Sequence, residues 1–178
     1  MSILQQLENH EVLIVGDVMI DRYLTGSVNR ISPEAPVPVV LQQSMEDRLG
    51  GAANVALNIR ALGSVPVLCS VIGRDEAGQH LKNRILPDSG ITADGMVFSD
   101  SRRTTVKTRI LGNNQQMLRI DSEDTDDLNE QEQQDLLEKI RELLATRPIR
   151  AIILQDYNKG VLTEKVIRAV LSEAHKSG

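Results

Sequence analysis

Tryptophan is absent from this chain, and aromatic residues contribute only 2% of it. A core must therefore be assembled from Leu, Ile, Val and Ala. A base-stacking platform for single-stranded nucleic acid, which depends on exposed rings, is ruled out. With one cysteine and three histidines, neither a disulfide framework nor a metal-spaced Cys/His cluster is possible. The cysteine, Cys69, lies in the apolar run Val65 to Ile72, which marks it as a buried core thiol, since a nucleophile needs exposure and a nearby histidine. Positive charge is also scarce. The net charge of −5 excludes a general polyanion binder, although a local group of cations can still hold one phosphate. No apolar run approaches the roughly 20 residues that span a bilayer, and no basic segment followed by an apolar one opens the chain. The expectation is a soluble, cytoplasmic protein with neither membrane nor nucleic acid as partner.

What is present is a rhythm, in a chain of 178 residues that suffices for one domain. Val12 to Val15 is a short apolar run closed by Gly16 and Asp17, a buried strand followed by a loop. From Gly51 to Leu62, Ala52, Val55, Ala56, Ile59 and Leu62 recur at helical spacing, and Gly63 stops the helix. Val65 to Ile72 is the next strand, and Asp75 then caps a helix over Glu76 to Leu86 with Leu81 and Ile85 inward. Asn129 with Glu132 forms a capping box ahead of a helix bearing Leu136, Leu137, Ile140, Leu143 and Leu144. Ala151 to Leu154 is a further strand. Thr163 caps the last helix, whose inner face is Val166, Ile167, Val170 and Ala174. Short apolar strands alternating with amphipathic helices mean a largely parallel sheet covered on both faces, an α/β architecture of three layers.

Two stretches break that rhythm. In Arg22 to Gln43, Pro33, Pro36 and Pro38 exclude a helix, while Val37, Val39 and Leu41 alternate as in a half-covered strand. Later, Met96 to Phe98, Thr104 to Ile110 and Met117 to Asp121 are strand-like, with a hairpin turn at Gly112, Asn113 and Asn114. The two segments, about 22–43 and 96–121, read as a small β-lid standing off one edge. The acidic stretch Asp121 to Asp127 matches no calcium loop and reads as a solvated loop favouring the positive end of the next helix. The last helix runs into Ser177 and Gly178 where another strand is due, so the sequence reads as cut at an element boundary.

Ligands of open α/β sheets bind beyond the carboxyl ends of the strands. Three groups of residues fall there: Asp17 and Asp21, Gly50 to Asn54, and Asp156 to Lys159. Gly50 and Gly51 open a helix with no bulky side chain, so its free amides favour an anion or a hydroxyl-rich ligand, with Asn54 one turn in. A tight turn with close helix–sheet packing explains the same glycines. The pattern is neither a Walker loop nor a dinucleotide fingerprint. Asp17 and Asp21 suit paired sugar hydroxyls, or simply bond their own turn.

Several segments resemble the opening of the ribokinase-like (phosphofructokinase-B) carbohydrate kinase family. They are Gly16-Asp17-Val18-Met19-Ile20-Asp21-Arg22-Tyr23, Arg30-Ile31-Ser32-Pro33-Glu34-Ala35-Pro36-Val37-Pro38-Val39 and Gly50-Gly51-Ala52-Ala53-Asn54-Val55-Ala56, in that order. Asn113-Asn114-Gln115-Gln116-Met117-Leu118-Arg119-Ile120-Asp121 and Asp156-Tyr157-Asn158-Lys159-Gly160 extend the likeness over nearly the whole chain. The proline-rich segment is similar in particular to the D-glycero-β-D-manno-heptose 7-phosphate kinases. The resemblance implies a ribokinase-like α/β/α domain with a β-lid that pairs two subunits. It also implies ATP and Mg2+ in the intact enzyme, and a sugar phosphate as substrate. It assigns Asp21 to sugar hydroxyls and Gly50, Gly51 and Asn54 to the pocket wall. Asp156 and Lys159 close the pocket from the sheet side, Asp156 alternatively capping its own loop. Lys107 is the first candidate for the substrate's 7-phosphate. Arg30, Arg109 and Arg119 are secondary candidates, as are Gln116 and Asp17, each cation being equally readable as a solvated strand charge.

Phosphoryl transfer to a hydroxyl needs a positioned base and an anion nest. The family draws these from a Gly-Ala-Gly-Asp segment, which this sequence lacks. The expectation is therefore a sugar-binding portion of a kinase, inactive by itself, with no catalytic base or metal ligand among its residues. Another sugar kinase of the same superfamily, or a non-catalytic sugar-binding or dimerisation module, are the alternative readings.

Overall fold

The first strand serves two cores because its side chains alternate. In β1 (Glu11–Gly16), Val12 and Ile14 face one hydrophobic cluster while Leu13 and Val15 face another. The computed structural model describes residues 8–177, so the helix stop expected at Gly178 lies outside the described residues. β1 is flanked by β4 (Val65–Gly73) and β8 (Ile149–Gln155), and β5 (Thr92–Ser99) pairs with β4; all four strands are parallel, in the order β5-β4-β1-β8. On one face lie α1 (Ala52–Ala61) and α2, a helical run over 76–88 with a wider turn at Leu81–Ile85. Its buried Ala52, Ala53 and Ala56 let α1 approach the sheet, with Leu81 and Leu86 of α2 alongside. On the other face lie α3 (Glu130–Thr146) and α4 (Glu164–Ser177), with Leu136, Leu137, Ile140, Leu143, Val166 and Val170 packed on Leu13, Val15, Val67 and Cys69. Each fully buried Leu or Ile contributes about 1.5–3 kcal/mol by leaving water. Burial also pushes the Cys69 thiol up to about 12, a core thiol and no nucleophile.

The helix starts follow the expected caps. Asp75 accepts the Gly78 N–H at 2.8 Å, and Asn129 and Glu132 form a reciprocal capping box. Thr163 Oγ1 accepts the Val166 N–H at 3.2 Å. Among the described residues no helix is long and apolar enough to cross a membrane.

A second, mixed sheet forms the lid from β2 (Val18–Ile31), β3 (Pro38–Gly51), β6 (Val106–Gly112) and β7 (Gln115–Ser122), ordered β3-β2-β6-β7. Pro38 opens an edge strand, where a missing N–H costs nothing. Asn113 and Asn114 turn the β6–β7 hairpin with φ of 52° and 64°, and the Asn113 side-chain amide docks on Val28, accepting its N–H and donating to its carbonyl. Cross-strand register gives the sheet two unlike faces. One carries Asp21 opposite Arg48 and Lys107, Tyr23 opposite Glu46 and Arg109, and Lys107 opposite Asp121. The other carries Leu24 opposite Met45 and Ile110, and Ile110 opposite Leu118. Ile20, Leu49 and Val106 root that apolar face in the main core, while Met45, Leu118 and Ile120 remain exposed. At the same root Arg22 grips Asp47 through two hydrogen bonds of 2.7 Å, and His80 of α2 lies 3.4 Å from Asp47.

The lid boundaries differ from expectation in two respects. Met96 to Phe98 does not belong to it: those residues sit in β5, paired with β4 through Ser70↔Met96 to Gly73↔Ser99, and Met96 is buried. Only the loop 100–105 separates β5 from the lid strand β6, and no helix marks the change of sheet. The first lid segment is also longer than 22–43, because β2 and β3 stay paired from Val18↔Gly51 outward. Gly50 and Gly51 therefore end a strand, and α1 begins at Ala52.

Candidate functional site

The site is organised around a carboxylate whose partners among the described residues are main-chain amides. Asp17, 1% exposed, follows β1, and its Oδ2 accepts the N–H groups of Tyr157 at 2.7 Å and Lys159 at 3.2 Å while Oδ1 accepts that of Val161 at 3.2 Å. Its carbonyl accepts the Ala52 N–H at 2.8 Å. One residue thus ties the end of β1, the start of α1 and the 156–161 loop, and its carboxylate is committed to the loop backbone. Asp17 does not bond its own turn: the loop amides it accepts from lie some 140 residues away in sequence. Asp156 differs: exposed, it accepts the Asn158 N–H at 2.7 Å within its own loop.

Asp21 lies on β2 against the glycine pair. A Cβ on Gly50 would fall 2.7 Å from Asp21 Oδ2 and 2.6 Å from Met19 Cγ, so only glycine permits this approach. Gly51 has φ of 58° and a Cβ there would meet the Asp17 carbonyl oxygen at 2.2 Å. As the N-cap of α1, Gly51 offers no side chain to the first amides of the helix. Asn54 stands exposed on that first turn. Asp21 accepts from Arg109 Nη1 at 2.5 Å, and the Arg109 guanidinium lies 5.3 Å from the Tyr23 ring centre. The hydrogen bond to Asp21 raises the already high pKa of Arg109.

A second cluster joins lid to body. Lys107 Nζ donates to Asp121 Oδ2 at 3.1 Å and to Glu123 Oε2 at 2.8 Å, and Lys159 Nζ donates to Glu123 Oε1 at 2.8 Å. Burial works against the charge on Lys107, but its bonds to Glu123 and Asp121 outweigh it and hold the ammonium above its ordinary pKa. For Glu123, burial opposes the charge and the two lysines overcome it, leaving the carboxyl below its ordinary range. Arg119 pairs with Asp121 at 2.9 Å.

Thus Asp21 and Gly50 meet at the root of the lid, with Gly51 next in chain, Lys107 the register neighbour of Asp21, and Lys159 linked to Lys107 through Glu123, whereas Asn54 stands exposed on the first turn of α1. Arg30 and Gln116 are not brought to them. Arg30 is nine positions beyond Asp21 on the same strand, about 30 Å away at 3.3 Å per residue, and Gln116 is the second residue of β7, opposite Leu111 at the far end. Sequence reasoning missed Glu123, placed in a loop taken as solvated. The signal was there: Arg119, Asp121 and Glu123 keep the parity of the strand into the loop and so share a face with Lys107. Arg102 was also missed; its Nη2 donates to the carbonyls of Asp126 and Lys159, pinning the two loops together.

The pfkB family carbohydrate kinase pattern matches residues 9–174. The chain belongs to the pfkB carbohydrate kinase family. It is 48% identical over 167 residues to the Bifunctional protein HldE of Methylobacillus flagellatus and 43% identical over 167 residues to that of Caulobacter vibrioides, covering 94% of this chain in each case. The chain spans about a third of those relatives, 34% and 33% of their lengths. Its fold is shared with phosphofructokinase-2 of Escherichia coli, solved in complex with fructose-6-phosphate: the TM-score is 0.66 at 18% identity, over 96% of this chain and 52% of the other. For a pfkB chain the three-layer body and β-lid are the architecture expected.

Proposed function

We propose that this chain supplies the sugar-phosphate side of an ATP-dependent kinase that acts on D-glycero-β-D-manno-heptose 7-phosphate. The γ-phosphoryl group of ATP passes to the anomeric hydroxyl, giving the 1,7-bisphosphate, a step toward ADP-heptose and the lipopolysaccharide core in the bacterial cytoplasm. One observation supports the reading: the Asp21 carboxylate and the Lys107 ammonium are register neighbours on the lid face where Lys159 of the body also arrives. Asp21 and the amides of α1 would orient the ring, and Lys107 with Lys159 would neutralise the existing phosphate. The ordered loop tied by Asp17 holds Lys159 in place. Bound ATP with Mg2+ would supply the phosphoryl donor and its charge neutralisation. Among the described residues no group of three or more His, Cys, Asp or Glu is arranged to hold a metal.

The exposed apolar face of the lid supports a companion proposal, a homodimer formed lid to lid. Met45, Leu118 and Ile120 are 56%, 55% and 50% exposed on one side of a sheet whose other side is charged, a distribution expected of a contact surface.

Calorimetric titration of the chain with heptose 7-phosphate tests the main reading. Lys107→Met should weaken binding at least tenfold while leaving the weak affinity for the unphosphorylated heptose unchanged. Equal affinity of variant and wild type for the phosphorylated sugar would remove Lys107 from the site.

A further inference from the structure

We propose that Glu123 is an internal stand-in for a phosphate group, holding Lys107 and Lys159 together until a ligand phosphate displaces it. This rests on the reading that the two lysines form the phosphate subsite. The geometry is that of a bidentate anion: each carboxylate oxygen receives one ammonium group, both at 2.8 Å. The three side chains are largely covered, at 15%, 16% and 19% exposure for Lys107, Lys159 and Glu123, so an incoming anion meets paired rather than free cations. The charges balance in a particular way. Asp121 is shared by Lys107 and Arg119, and Lys159 pairs with Glu123; without Glu123, these three cations are left with the one carboxylate of Asp121, a surplus of two positive charges to set against a phosphate dianion.

The chain can make the exchange because Glu123 lies just past the end of β7, in the irregular segment ahead of α3, whereas Lys107 is held in the middle of the lid sheet. Glu123 can swing out with little cost to any ladder. It also bridges lid and body, since Lys107 belongs to β6 and Lys159 to the 156–160 loop. Displacement therefore exchanges an internal lid-to-body clip for one made through the ligand, and Glu123 sets how strong an anion must be to enter.

The test is titration of the isotopically labelled 178-residue chain with inorganic phosphate, followed through the amide resonances of residues 107 and 159, for wild type, E123Q and E123A. Glutamine keeps the size of the side chain and removes the charge. Each partly covered ion pair that phosphate must break is worth roughly two- to fivefold, so E123Q is expected to bind phosphate about tenfold tighter, and E123A at least as tightly. Resonances that move in wild type with E123Q binding no tighter, or more weakly, would overturn the stand-in role and leave the subsite intact. Resonances that stay still in all three proteins would remove the subsite, and the proposal with it. Repeating the comparison with sedoheptulose 7-phosphate and with ATP identifies the source of the phosphate. The ligand that shows the tenfold gain is the one that Glu123 imitates, and a gain with neither would overturn the proposal.

Discussion

Asp17 offers the sharpest perturbation, because its carboxylate is buried and its partners are all main-chain amides. In Asp17→Asn the side chain keeps one oxygen. Set at the Oδ2 position, that oxygen still accepts from Tyr157 and Lys159, now as a neutral acceptor, while the new NH2 group confronts the Val161 N–H. Hydrogen bonds to a charged group contribute about 1.5–3 kcal/mol each and a buried unpaired donor costs about 1–3 kcal/mol. One bond lost and two weakened come to roughly 2–3 kcal/mol, with the exposed tip of the loop free to recover some of the loss from water. For a chain of this size that is a fall in melting temperature of roughly 4–12 °C. Circular dichroism melts measure it, and amide hydrogen exchange localises it: protection at Lys159 and Val161 should drop well before that of the β1 and β4 amides. A variant that melts within 2 °C of wild type, with those two amides still protected, would refute the claim that this carboxylate organises the loop.

Two further outcomes follow from particular contacts. Burial disfavours the charge on Glu132, but hydrogen bonds from Ser99, Ser101 and the Asn129 N–H prevail and hold its carboxyl below the ordinary value of 4.5. A depressed carboxyl stabilises the fold above its unfolded pKa and loses that contribution as pH falls through its folded one; Glu132→Gln should thus cost about 1–2 kcal/mol at pH 7, and the gap between the urea midpoints of variant and wild type should narrow progressively as pH falls below the ordinary carboxyl value. On the apolar lid face, Ile120→Lys should convert the proposed dimer to monomer in light scattering while leaving the circular dichroism spectrum of the folded chain unchanged, and a wild-type chain that is monomeric at high concentration would remove the lid-to-lid proposal.

How much was legible in advance depended on whether a pattern was local. The β1, β4, α3 and α4 segments announced themselves because an apolar stripe of period two or 3.6 is imposed by the layer each must cover. Caps at Asp75, Asn129 and Thr163 are three-residue events, and they appear as expected. The strand at Met96 was assigned to the wrong sheet because strand character does not say which neighbour will be hydrogen-bonded. The site divides the same way. Gly50 and Gly51 were visible as a motif, yet the reason for Gly50, the Asp21 carboxylate and Met19 packed where a Cβ would go, lies about thirty residues upstream.

The sequence by itself determined the layered α/β body and the family, because periodicity, caps and motifs are written along the chain. Only the tertiary structure decided which charges meet. It drew Asp17 out of the ligand set by giving it three amides from beyond β8, and it placed Glu123 between Lys107 and Lys159. The physical reason is that a carboxylate's role depends on its nearest donors, and those arrive through strand register and loop closure across distances that no local pattern encodes.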